Sequence, residues 1–171
     1  FSQRLNGQPF FVSGDFDKVE ANGVTVFLPK GAAENERKRA GELALLYSEA
    51  AAFSSSLLGS KSTIPLRIIA VRRGAGFSDS GTVLMDYAAF RRQKVDSQTA
   101  VILAEAAAKI WLGNVKAVRG EGFGVIREGL SRFIANQFLE KKFGPDAARA
   151  ERFRQIAAYS TVSRSDAPFL Q

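Results

Sequence analysis

The spacing of apolar residues changes along this chain, and the order of that change constrains the fold more than any other feature. In the first half, short β-rich runs lie on both sides of one long stretch in which apolar residues have helical spacing. In the second half, the apolar residues have helical spacing only. The predicted strands are residues 9–12, 24–28, 64–71 and 82–85. Because strands come first and helices cluster at the end, the sequence favours the α+β class.

Four helices are predicted from the helical spacing. They cover residues 33–58, a segment from Asp96 or Ser97 to Leu112, residues 125–143 and residues 146–159. Asp and Ser are typical N-cap residues, and Gly113-Asn114 is a typical stop. Within residues 125–143, an inner apolar stripe is expected from Ile126, Leu130, Phe133, Ile134 and Phe138.

Two segments of the first half carry turn signals. Asn22-Gly23 is typical of a two-residue hairpin turn, but the gap from Phe16 to Glu20 leaves its pairing open. Residues 72–80 hold two Arg, two Gly, two Ser and an Asp, and are predicted to form a loop.

The length of 171 residues predicts a single domain over residues 1–171. A chain of this size buries about 70% of the surface that its unfolded form exposes, so a substantial core is expected. The chain begins at Phe1, and its only Met is Met85. We therefore expect it to be a fragment of a longer protein.

The chain contains no Cys and no His. Disulfides, thiolate metal sites and a cysteine nucleophile are therefore excluded. The absence of imidazole excludes a histidine base, a serine triad of the usual kind and a histidine zinc ligand. A chain without Cys is compatible with a reducing or an oxidising compartment, so its localisation stays open.

The charge is basic, with 24 Lys and Arg against 17 Asp and Glu. A positive net charge permits binding to nucleic acid or to an anionic membrane. The basic residues are scattered, however, and no run reaches five like charges. We expect no nucleic-acid partner. No apolar run approaches the roughly 18 residues that a membrane span requires, so no span is expected in this fragment.

Two motifs in residues 100–144 resemble those of the aminopeptidase N-like family of gluzincin zinc peptidases. Trp111-Leu112-Gly113-Asn114 is similar to the family's W-F-G-N, which follows its zinc-binding H-E-x-x-H on one helix. Arg127-Glu128-Gly129 occupies the place of the family's N-E-G, and residues 139–144 are also similar. The resemblance implies a thermolysin-like α+β domain with a small mixed sheet and a helical C-terminal part that carries the former metal helix.

In this register the zinc motif is degenerate. The two histidine ligands fall on Glu105 and Lys109, the catalytic Glu falls on Ala106, and the third ligand falls on Glu128. In the family, two His four residues apart and a distant Glu hold zinc, and the intervening Glu takes the proton of the zinc-bound water. A protonated Lys has no lone pair for a metal, and Ala takes no proton. The resemblance therefore implies no metal, no cofactor and no zinc-peptidase catalysis.

Glu105 and Lys109 are spaced i,i+4 with Glu first, which is the favourable order for an ion pair on a helix. If the family's geometry holds, Glu128 lies close to both. We therefore expect an ion triad in place of the metal, with the Lys109 ammonium between two carboxylates. The alternative is a plain surface pair on the helix, worth about 0.3–0.5 kcal/mol.

Upstream, Gly74 to Gly81 occupies the position of the family's G-A-M-E-N-like loop, whose Glu holds the substrate's amine. Ser78 falls where that Glu stands, next to Asp79, and Gly76 belongs to the same remnant. The competing and favoured interpretation is a Gly- and Ser-rich turn between two strands.

The resemblance implies a catalytically inactive, peptidase-like domain that acts as a scaffold or binds a protein or peptide. Residues 1–17 then end a preceding β-domain, and Tyr159 comes too early to match the family's transition-state Tyr. One alternative is a metal-independent hydrolase that uses Glu105, Lys109 and Glu128 for acid–base chemistry. The weakest is a basic module that binds anionic surfaces.

Overall fold

Five strands form one mixed sheet in the order β1-β2-β3-β5-β4. β1 is antiparallel to β2, β4 is antiparallel to β5, and β2, β3 and β5 are parallel. The computed structural model describes residues 10–112 and 122–162. The strands are β1 (Phe16–Ala21), β2 (Val24–Pro29), β3 (Leu66–Val71), β4 (Ser78–Asp79) and β5 (Thr82–Asp86).

Helices fill most of the described chain outside the sheet. The first long helix forms the crossover that the parallel pair β2 and β3 requires. The helices are α1 (Glu34–Leu58), α2 (Ala88–Arg91), α3 (Ser97–Leu112), α4 (Phe123–Val125), α5 (Ser131–Phe143) and α6 (Pro145–Val162), and a π-helical turn (Ile126–Leu130) joins α4 to α5. This arrangement confirms the predicted α+β class and mixed sheet.

Asn22-Gly23 forms the predicted two-residue hairpin turn. Both residues have positive φ angles, 52° and 75°, as such turns require. The turn pairs β2 with β1, the six residues directly before the turn, because a two-residue turn sets the register. The strand predicted over residues 9–12 is therefore wrong for residues 10–12, which lie outside the strands, and Pro9 falls outside the described residues.

The core lies between one face of the sheet and the long helices. Val26, Ile68 and Val83 are neighbours on β2, β3 and β5, and each is fully buried. Tyr47 of α1 is equally buried, and its hydroxyl donates to the carbonyl oxygen of Gly81 at 3.2 Å. On α3 the buried positions are mostly Ala, which lets α5 approach closely.

Only two of the five residues in the inner stripe predicted for residues 125–143 are buried. Ile134 and Phe138 are buried, whereas Ile126, Leu130 and Phe133 are 43%, 40% and 56% exposed. Ile126 and Leu130 lie in the π-helical turn, whose hydrogen bonds span i to i+5, so positions spaced for an α-helix do not stay on one face through it. Phe133 lies in α5 next to the buried Ile134, and adjacent residues of a helix point in different directions.

The predicted ends of α3 and α6 compare with the structure as follows. The Asp96 carboxylate accepts a hydrogen bond of 2.8 Å from the Thr99 N–H, which confirms the predicted start of α3. Gly113-Asn114, the predicted stop, falls outside the described residues. α6 continues to Val162, three residues beyond the predicted end.

Among residues 10–112 and 122–162, every helix is too short or too polar to cross a bilayer.

Candidate functional site

The structure brings Glu105, Lys109 and Glu128 together. Glu105 and Lys109 lie one turn apart on α3, and Glu128 is the central residue of the π-helical turn. The Nζ of Lys109 lies 3.3 Å from Glu105 Oε1 and 2.6 Å from Glu128 Oε2. One ammonium group therefore bridges two carboxylates that belong to different elements.

Burial distinguishes this arrangement from a surface pair. The side chains of Lys109 and Glu105 are only 14% and 12% exposed, and that of Glu128 is 54% exposed. Ion pairs in full contact with solvent are weak because water screens them, and this pair is largely shielded from water. Glu128 is the member of the triad that connects it to solvent.

The triad is part of a longer chain of alternating charges. Arg132 of α5 lies 3.2 Å from Glu105 Oε2. Arg127 contacts Asp79 Oδ1 through Nη2 at 3.4 Å, and its Nε lies 3.8 Å from Glu128 Oε1. We call the six residues the charge cluster: Asp79, Arg127, Glu128, Lys109, Glu105 and Arg132. Its three cations balance its three anions, and it ties β4 to the helices.

The residues of the Gly76–Asp79 segment separate into two groups. Asp79, 18% exposed, belongs to the charge cluster through Arg127. Ser78 pairs with Val83 in the sheet, and Gly76 donates its N–H to the Leu84 carbonyl oxygen at 2.9 Å. The segment is one side of a hairpin whose two-residue turn has positive φ angles. The loop predicted over residues 72–80 is therefore wrong for Ser78 and Asp79, which form β4 and pair with β5.

Arg127 and Arg132 are the members of the cluster that sequence reasoning missed. A partial signal was present, because Arg127 directly precedes Glu128 and Arg132 follows it by four positions. That spacing predicts a local pair between Arg132 and Glu128. The structure instead pairs Arg132 with Glu105 across two helices, and local spacing does not reveal such a contact.

Ala106, the position matched to the family's catalytic Glu, is 3% exposed and belongs to the hydrophobic core. A carboxylate at this position would lie among apolar side chains, where burial of a charge without a partner is costly. The residue type and its surroundings both differ from what a water-activating base requires.

The residues present do not suit a zinc ion. Within the described chain, no three His, Cys, Asp or Glu side chains are arranged so that they could hold a metal. The point between Glu105 and Glu128 is taken by the Lys109 ammonium, which offers three donors and no lone pair. The carboxylate oxygens that would coordinate a metal are instead paired with the ammonium group of Lys109.

Comparisons of the chain with protein-family models, with curated proteins and with solved structures find no significant match. The aminopeptidase resemblance therefore rests on the motif residues of the sequence.

Proposed function

We propose that this chain is a catalytically inactive, peptidase-like domain of the gluzincin type that works by binding a protein or peptide. The observation that carries the proposal is the position of Lys109. Its ammonium lies between Glu105 and Glu128, the positions at which the resemblance places metal ligands. A cation supplied by the chain itself takes over the electrostatic role of the metal without its Lewis acidity.

A metal-independent hydrolase is the weaker reading of the same residues. An acid–base catalyst needs a group within reach of substrate that is free to exchange a proton. Glu105 is held by both Lys109 and Arg132, and Glu128 is held by Lys109. A closed set of ion pairs of this kind favours a structural role for the charge cluster.

Exposed apolar side chains near Glu128 support a binding role. Ile126, Leu130 and Phe133 are each at least 40% exposed, and they belong to the turn that holds Glu128 and to the start of α5. Surfaces that bind other proteins commonly expose apolar side chains, and these three occur within eight consecutive residues of the chain. A peptide bound here would contact apolar side chains and the solvent-facing carboxylate of Glu128.

A gain-of-metal experiment tests whether these positions correspond to a metal site. The wild-type chain, dialysed against zinc, is expected to retain far less than one zinc per chain by mass spectrometry. The double variant Glu105→His, Lys109→His restores two imidazoles one turn apart opposite Glu128, so it is expected to retain one zinc per chain. Adding Glu128→Gln to that variant is the matched control and should release most of the metal.

Two outcomes contradict the proposal. Stoichiometric zinc in the wild-type chain would show that the site is not degenerate. A double variant with an unchanged circular dichroism spectrum and no zinc would show that the three positions do not correspond to a metal site.

Peptide selection tests the binding role. Peptides selected from a random library on the wild-type chain are expected to lose binding to Phe133→Asp and to keep it with Phe153→Asp. Phe153 is 65% exposed on α6 and serves as the control for a lost exposed Phe. If both variants lose peptide binding equally, or if both keep it, this surface is not the peptide-binding site.

A further inference from the structure

A cavity of about 550 Å³ opens at the carboxyl end of β3, away from the charge cluster. Its walls come from residues 11–16 and 70–74, with Pro29 and Leu84. The cavity has the size of a small-molecule pocket, and the carboxyl ends of parallel strands are a common place for one. The T-shaped contact of Phe10 with Phe77, with ring centroids 4.9 Å apart, links the segment before β1 to the loop after β3.

The cavity combines an apolar interior with two cations at its edge. Ala70, Leu84 and Phe16 line it and are buried or half-buried, whereas Arg72 and Arg73 are exposed. Phe11, 95% exposed, stands at the opening and offers a free aromatic ring. One carboxylate, that of Asp15, also lines the cavity, so the lining keeps a net positive charge.

Arg72 and Arg73 differ from most of the arginines that the structure describes. Most arginines in the described residues form an ion pair with a carboxylate, and the exceptions are Arg67, Arg72 and Arg73. Two of these three exceptions border one cavity. A guanidinium group presents a planar fork of donors that matches a carboxylate or phosphate.

We propose that this cavity binds a small anionic molecule, in which a carboxylate or phosphate is attached to an aromatic or apolar body. The anionic group contacts Arg72 and Arg73, and the apolar body enters between Phe16 and Leu84. This site is independent of the proposed pseudopeptidase role, because it shares no residue with the charge cluster.

The test is a titration of the ¹⁵N-labelled chain followed by NMR. Phenyl phosphate and 3-phenylpropanoate are the anionic probes, and benzyl alcohol and inorganic phosphate each supply one half of the ligand. We expect saturable shifts of amide signals from residues 11–16 and 70–74 with at least one anionic probe. The anionic probe that binds more tightly shows whether the site prefers a phosphate or a carboxylate. Benzyl alcohol and inorganic phosphate should each bind at least about tenfold more weakly than that probe.

Matched variants separate the arginine pair from general electrostatics. Arg72→Gln, Arg73→Gln should weaken the anionic probe by at least about tenfold. Arg149→Gln, Arg152→Gln removes the same charge from exposed positions on α6 and should change binding less than about twofold. Shifts that map elsewhere, equal binding of benzyl alcohol, or equal losses in both variants would overturn the proposal.

Discussion

Lys109 Nζ lies 2.6 Å from Glu128 Oε2, in a contact that joins α3 to the π-helical turn. A largely buried ammonium is stable only with opposite charges close by, and Glu105 supplies the second. The contact therefore does more than a surface ion pair. It places Glu128 at a defined distance from α3, in a segment whose backbone departs from the regular α-helix.

Lys109→Met should destabilise the fold, because among the described residues it leaves the shielded Glu105 with Arg132 as its one remaining partner. We expect a loss of about 2 kcal/mol in the free energy of unfolding, measured by urea denaturation. Lys142→Met is the control, since the pair of Lys142 with Glu49 is more exposed, and it should cost less than about 1 kcal/mol. Equal costs would show that burial of the triad has no energetic consequence.

Two constraints require glycine at position 81, namely a positive φ angle and a close neighbouring backbone. Gly31 shares only the first constraint, so comparing the two positions separates the two effects. Both residues have φ near +77°, which disfavours any side chain. A Cβ on Gly81 would also lie 2.5 Å from the carbonyl oxygen of Pro65, whereas a Cβ on Gly31 meets no atom within 4 Å. We expect Gly31→Ala to cost about 1 kcal/mol and Gly81→Ala to cost about 1–3 kcal/mol more in thermal or urea unfolding. Equal costs would contradict the close approach to Pro65.

Burial raises the pKa of Tyr47 above its ordinary value. The pKa of Tyr in an unfolded chain is about 10. The stability that Tyr47 contributes is therefore complete below that pH, and it is lost as the pH rises toward the pKa of the folded state. We expect the Tyr47→Phe variant to lose less stability at alkaline pH than the wild type. The measurement is urea denaturation at several pH values. Tyr159→Phe, at a position 72% exposed, should leave the profile unchanged. Identical profiles for wild type and Tyr47→Phe would contradict the prediction.

Glu36 links the start of α1 to Tyr87. The Tyr87 hydroxyl at 2.6 Å, followed by the Ala33 N–H at 2.9 Å, holds the pKa of Glu36 below its ordinary value. The stability that Glu36 adds is therefore present above about pH 4.3 and is lost as the pH falls toward the lowered pKa.

Tyr87→Phe should raise the pKa of Glu36, because it removes the donor with the largest effect on that carboxylate. The measurement is a ¹³C NMR titration of the Glu36 carboxyl group. Tyr159→Phe is the control and should leave that pKa unchanged. An unaltered pKa of Glu36 in Tyr87→Phe would show that the hydroxyl does not stabilise the carboxylate.

Local signals predicted most of the elements, because turns and caps depend on neighbouring residues. Asn22-Gly23 was a correct hairpin signal, and Asp96 caps α3 as expected. β4 escaped notice, since a strand of two residues has no periodicity to detect. The π-helical turn was not predicted either, and with it the exposure of Ile126 and Leu130 was missed.

By itself, the sequence determined the α+β class, the long helices and the absence of histidine and cysteine chemistry. It also placed Glu105 and Lys109 on one helical face, because residues four apart in a helix always share one. Only the tertiary structure decided that Arg132 pairs with Glu105 and that Arg127 reaches Asp79. Those contacts depend on how β4, α3 and α5 pack, and side-chain packing between distant elements leaves no periodic trace in a single sequence.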